Sequence, residues 1–92
     1  MLTESQRKQI REIAGQFGVL EVRLFGSRAR SQGGERSDYD LLVKMAPSAT
    51  LLTVIGFKQA CEDALGARVD VVEESGLSPR LARAILREAV GI

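Results

Sequence analysis

An α/β fold built on a small mixed sheet, with helices mainly on one face, is what this sequence predicts. Three observations carry that expectation. Apolar residues recur at helical spacing near the N-terminus, alternating runs of branched residues recur three times further on, and glycine and proline punctuate the two kinds of segment. The expected order is αβ(α)βαβα, an α+β arrangement whose bracketed element is a short helix. Residues 1–92 are expected to form a single domain, because a chain this short cannot build two hydrophobic cores.

The elements follow in turn. Thr3 to Gln16 reads as a helix: Thr3 and Gln6 resemble a capping box, and Ile10, Ile13, Ala14 and Phe17 recur with a period near 3.6, with Gly18 as the stop. Val19 to Phe25 reads as a strand in which Val22 and Leu24 are offset against Glu21 and Arg23. Gly26 and Ser27 end it, and a short helix from Ser27 to about Gln32 would close at Gly33-Gly34. Asp38 to Met45 is the next expected strand, ended by Ala46-Pro47. Ser48 would cap a helix from about Ala49 to Leu65, with Leu51, Leu52, Ile55, Ala60, Ala64 and Leu65 as its apolar stripe and Gly66 as its stop. Arg68 to Glu73 is a third strand. Ser78-Pro79 opens the last helix as cap and first helical residue, with Leu81, Ala84, Ile85 and Leu86 as its buried face.

Composition removes whole classes of chemistry. Thirteen basic residues face 12 acidic ones, so there is no general attraction to nucleic acid or to an anionic membrane. With no histidine in the chain, imidazole metal sites and histidine bases are excluded, and any metal must be a hard cation held by oxygen. The lone cysteine, Cys61, permits no internal disulfide and reads as a buried small hydrophobe of a reducing compartment. The polar N-terminus lacks a signal-peptide core. The longest apolar stretch, Leu51 to Phe57, is far short of the roughly 20 residues a membrane span needs, so the expected location is the cytoplasm.

Charge is clustered locally. Arg23, Arg28, Arg30 and Arg36 crowd one stretch, and Asp38, Asp40, Glu62, Asp63, Asp70, Glu73 and Glu74 follow it. Three features within this pattern suggest chemistry. In Phe25-Gly26-Ser27-Arg28-Ala29-Arg30 a strand hands over to a helix, where glycine permits a sharp turn and the following amides attract anions. Ser27, Arg28 and Arg30 suit a phosphate chain there, although Gly-Ser before a helix is also an ordinary cap. In Ser37-Asp38-Tyr39-Asp40-Leu41, alternation puts Asp38 and Asp40 on one face, roughly 6.6 Å apart along the strand. Leu41, Val43 and Tyr39 then face the helices. Two such carboxylates repel unless cations neutralise them, and a pair of divalent ions about 3.5–4 Å apart could be bridged by them. A solvated loop end is the bland alternative. In Val69-Asp70-Val71-Val72 an aspartate interrupts a branched run; it either solubilises an edge or joins the other two acids if its strand neighbours theirs.

Taken together, Gly26-Ser27-Arg28-Ala29-Arg30, Ser37-Asp38-Tyr39-Asp40-Leu41 and Val69-Asp70-Val71 closely resemble the minimal nucleotidyltransferase (MNT) family of the polymerase β superfamily. The resemblance spans nearly the whole chain, including the closing Leu77-Ser78-Pro79 helix, and implies a polymerase β palm-like core. It implies that Gly26 and Ser27 cradle the β- and γ-phosphates of ATP with Arg28 and Arg30 near, and that Asp38, Asp40 and Asp70 hold two Mg²⁺ ions. Asp70 would also help to deprotonate the attacking hydroxyl. One position departs from the family pattern: Ser31 stands where a glycine usually follows Ala-Arg, and Gly33-Gly34 can supply that turn.

Proteins of this family and size resemble antitoxins encoded beside a helical HEPN-type ribonuclease toxin, so the resemblance implies AMP transfer to a toxin tyrosine within a hetero-oligomer. No direct nucleic-acid binding is expected, since no second basic domain exists to hold a template. Two rival readings remain at this point. One is a non-catalytic antitoxin that neutralises its partner by covering it. The other is a nucleotidyltransferase acting on a small-molecule hydroxyl, against which the lack of an added helical substrate domain argues.

Overall fold

The computed structural model describes residues 2–26 and 39–92. Its elements are α1 (Glu4–Gln16), β1 (Val19–Phe25), β2 (Tyr39–Met45), α2 (Leu51–Leu65), β3 (Val69–Glu73), a 3₁₀ turn (Glu74–Gly76), α3 (Pro79–Glu88) and β4 (Val90–Gly91). The expected short helix from Ser27 lies outside the described residues. The four strands form one sheet in the order β3-β2-β1-β4. β1 pairs antiparallel with both β2 and β4, whereas β2 and β3 run parallel and are joined through α2. A parallel pair requires such a crossover, and the result is the mixed sheet that the pattern predicts.

Alternation along the strands sorts the two faces. Tyr39, Leu41 and Val43 of β2, Leu24 of β1 and Val69 of β3 join Ile10, Ala14, Phe57 and Cys61 in the main core, beneath α1 and α2. Phe57, Ile10, Leu41, Val43, Val69 and Cys61 are completely enclosed. Each such side chain contributes about 1.5–3 kcal/mol of transfer free energy, so this layer supplies most of the driving force for folding. Phe17 and Phe57 meet edge to face, with ring centroids 6.5 Å apart, and lock α1 to α2. β1 carries a register irregularity between Val19 and Glu21. One extra residue there shifts the alternation, so Val19 enters the core and Leu20 is left 59% exposed.

The ends of the helices follow local chemistry, with one correction. Thr3 caps α1 through the full capping box with Gln6 that its spacing predicts. For α2 the cap is Thr50, not Ser48, and the helix starts at Leu51 rather than Ala49. The reason is reciprocal bonding: Thr53 N–H donates to the Thr50 hydroxyl at 3.3 Å, and Thr50 N–H donates to the Thr53 hydroxyl at 3.1 Å. Thr50→Ala is therefore expected to lower stability by roughly 0.5–2 kcal/mol. Ser48→Ala should change it by less than about 0.5 kcal/mol, both read from urea denaturation midpoints. At the other end Gly66 adopts the left-handed conformation, φ +63°, that its role as a stop requires.

Two expected apolar faces are also corrected. Leu51, Leu52 and Ile55 are 75%, 79% and 41% exposed, and the face that α2 buries runs instead through Phe57 and Cys61. Helix α2 is apolar on several sides, so its docking against α1 and β3 decides which side is covered. In α3 no residue is buried: Leu81 and Ala84 are exposed, and Ile85 and Leu86 only half-covered. This helix lies against β1 by a narrow contact and has no second layer over it among the described residues.

β4 was not expected. It is only two residues long, pairing Val90 with Leu24 and Gly91 with Arg23, and Ile92 N–H donates to Val22 O at 3.1 Å. Arg7 and Arg11 of α1 brace it, donating to the carbonyls of Gly91 and Ile92 at 3.1 and 2.9 Å.

Cys61 is a free, buried thiol, as its place in an apolar helix suggests. Burial pushes its pKa from 9.0 to about 12, with the Glu62 carboxylate adding to the effect. A raised thiol pKa favours the protonated folded state, so this contribution to stability is complete below about pH 9 and is lost as the pH climbs toward about 12. Thiol-directed reagents at pH 8 are expected to label native protein far more slowly than urea-unfolded protein, measured as the rate of mass gain.

Candidate functional site

The face of the sheet away from α1 and α2 is built by the residues that alternate with the core; Leu42 on this face is buried at 3% exposure, and the face is open at the end where the acids stand. In the parallel ladder Asp40 of β2 and Asp70 of β3 are direct Cα partners, and in the antiparallel ladder Asp40 is the partner of Phe25. Adjacent strands lie roughly 4.8 Å apart, so the two carboxylates rise side by side from neighbouring backbones. Their neighbours fix the direction. Tyr39 and Leu41 flank Asp40 and are buried with the helices, Val69 is wholly enclosed, and Val71 packs against the same core. Asp40 is half-buried and Asp70 exposed. Like charges placed directly across a ladder repel, and a bound cation would relieve that repulsion.

Gly26 completes this corner. It ends β1 at φ +77°, a backbone conformation that only glycine adopts readily. A side chain there would run into the Asp40 carboxylate: a Cβ would overlap Oδ2 and stand 3.2 Å from Cγ. The spacing predicts a turn in which glycine lets a phosphate approach the backbone. The structure adds a second reason for glycine, room for the acid of the adjacent strand. That contact is legible only once the Phe25–Asp40 pairing is known.

Of the sequence-predicted site residues, the structure therefore brings together Gly26, Asp40 and Asp70. Ser27, Arg28, Arg30 and Asp38 lie outside the described residues. The wider clusters separate. Glu62 accepts a hydrogen bond from Val69 N–H at 3.1 Å, tying the end of α2 to the start of β3, and so has a structural role. Arg23 forms a 3.9 Å ion pair with Glu21, both well exposed. Among the described residues no group of three or more acidic, cysteine or histidine side chains is placed to hold a metal ion. Asp40 and Asp70 are two of the three expected ligands.

The profile of the Nucleotidyltransferase domain family matches residues 6–92, which include every element of this corner. The chain belongs to that family. A relative of this nucleotidyltransferase, the protein adenylyltransferase MntA of Thermococcus cleftensis, is 40% identical over 86 residues, 94% of this chain and 84% of the relative. The solved structure of a candidate minimal nucleotidyltransferase is 43% identical and superposes with a TM-score of 0.89, covering 96% of this chain and 90% of that one. The fold alone is shared with a chain from the complex of a tri-AMPylated Shewanella oneidensis HEPN toxin with an MNT antitoxin, at 18% identity and a TM-score of 0.74, covering 98% of this chain and 71% of that one.

The donor set of this nucleotidyltransferase fits a hard divalent cation. Its acids are carboxylates on adjacent strands of one rigid sheet, the chain holds no histidine, and the one cysteine is buried beneath the opposite face. No helix among the described residues is long and apolar enough to cross a membrane.

Proposed function

We propose that this nucleotidyltransferase is a cytoplasmic antitoxin that moves AMP from ATP onto a tyrosine of a HEPN-type ribonuclease toxin. The observation that carries the reading is the Asp40–Asp70 pair on the open face, with Gly26 held against Asp40. Gly26 and Ser27 cradle the β- and γ-phosphates, with Arg28 and Arg30 adding positive charge. Asp38, Asp40 and Asp70 are the residues that would hold Mg²⁺, two ions in all. When bound, the metal supplies charge neutralisation for the entering and leaving oxygens.

The tyrosine oxygen attacks the α-phosphorus in line. The bond from that phosphorus to the bridging oxygen breaks, and pyrophosphate leaves with the bonding electrons. Asp70, exposed at the edge of the pair, takes the phenolic proton. Asp40, half-buried and lying against Gly26, is the less accessible of the two, which suits it to orienting rather than proton transfer. Support for the acceptor comes from the MntA relative and from the AMPylated toxin in the distant complex.

The test is to incubate the purified chain with ATP, Mg²⁺ and the product of the neighbouring gene, and to record the partner's intact mass. The expected result is a gain of whole AMP units that maps to tyrosine. A tight complex without mass gain would replace this reading with neutralisation by masking.

A further inference from the structure

Helix α3 carries a second charged feature, remote in chemistry from the acidic corner. Arg80, Arg83 and Arg87 surround Ala84, and the four line one depression of about 250 Å³. All four are exposed. Their spacing of three and four residues sets the guanidinium groups on one helical face, spread over roughly 10 Å of axis. None has an ion-pair partner among the described residues, where the pairs are Arg11 with Glu4 and Arg23 with Glu21.

This stripe is locally unfavourable in the isolated chain. Like charges three and four residues apart on a helix repel, and Arg80, in the first turn after the Ser78 cap, opposes the helix dipole. Arginine forks suit carboxylates and phosphates alike, so magnitude and shape must choose between them. Three phosphate contacts would give a salt slope of only about −2 to −3, far below the 6–10 contacts typical of proteins that hold nucleic acid firmly. A helix, by contrast, presents carboxylates at the same three- and four-residue spacing. The single small residue in the centre lets such a helix approach while its acids enter between the arginines.

We infer that the Arg80–Arg83–Arg87 face of α3 docks an acidic helix of a partner protein, its carboxylates paired one to one with the three guanidinium groups over Ala84. The surface stands apart from the proposed transfer reaction, and neither ATP nor metal is needed to test it.

The probe is a synthetic helical peptide of about 20 residues, long enough to hold helix in water, with three glutamates spaced three and four apart. A control peptide carries the same glutamates spread around the helix, and a poly-uridine oligomer serves as the phosphate probe. Each is titrated at low salt into ¹⁵N-labelled protein, with the arginine Nε–H signals followed by NMR. The expected result is saturable shifts confined to residues 79–88 with the first peptide. The triple variant Arg80→Gln/Arg83→Gln/Arg87→Gln should weaken binding at least about tenfold with the fold intact by its spectrum. Ala84→Leu, which keeps every charge but fills the depression, should weaken it too. Equal binding of the control peptide, tighter binding of the RNA, or full binding by either variant would overturn the inference.

Discussion

Asp40→Asn is expected to abolish nucleotidyl transfer while leaving the fold intact. The substitution keeps the shape of the side chain and removes its charge. Neutralisation of developing charge by a bound metal is worth several kcal/mol, and each 1.36 kcal/mol is tenfold in rate, so the loss should be at least about 10²–10³-fold. Asp40 has an interaction partner besides its ladder neighbour Asp70, so the charge is not simply unfavourable, and the denaturation midpoint is expected to stay near the parental value while the rate falls. Asp63→Asn, on the exposed side of α2, should change neither. Transfer at the parental rate by Asp40→Asn would remove the acid pair from the chemistry.

Phe57→Ala is the substitution expected to damage stability most. Phe57 is wholly enclosed, stacks edge to face on Phe17 and sits where α1, α2 and the sheet converge. Truncating a buried phenylalanine costs about 3–5 kcal/mol, through lost transfer energy and a residual cavity. A small domain holds only about 0.05–0.15 kcal/mol per residue, about 5–14 kcal/mol for 92 residues, so this loss removes a large share of its stability. The Phe17 ring is itself packed tightly against α2 at Gly56, where an added Cβ would stand 2.7 Å from it. Urea titration should show a much lower midpoint with an unchanged slope. Because Phe57 lies beneath the face opposite the acids, the fraction that remains folded should keep its transfer rate.

The parts of this molecule legible in its sequence are those set by short-range periodicity. Strand alternation alone places Asp40 opposite Tyr39 and Leu41, and Asp70 opposite Val69 and Val71, and the structure has the same division. That the two strands adjoin is a tertiary fact, foreseen only as a condition. Caps were legible where one residue type stood alone, as at Thr3 and Ser78. They were not where Ser48 and Thr50 competed, because the reciprocal bond with Thr53 decides the matter and serine lacks that partner. The buried side of α2 was misread because leucine and isoleucine occupy its first turns all round, so periodicity could not choose a side. β4 was invisible because two residues carry no period, and what holds them is Arg7 and Arg11, more than 80 positions earlier. The proximity of Gly26 to Asp40 depends on strand register, which no local pattern encodes.

The parallel joining of β2 to β3 has a consequence for how the protein is made and lost. Until a growing chain has emerged past the third strand it owns one acid of the pair, and a protease cut in the Gly66–Arg68 connection would leave an antiparallel ribbon without the other. If both acids serve the transfer as proposed, competence arrives in one late event, and half-made or clipped copies should be silent rather than partly active.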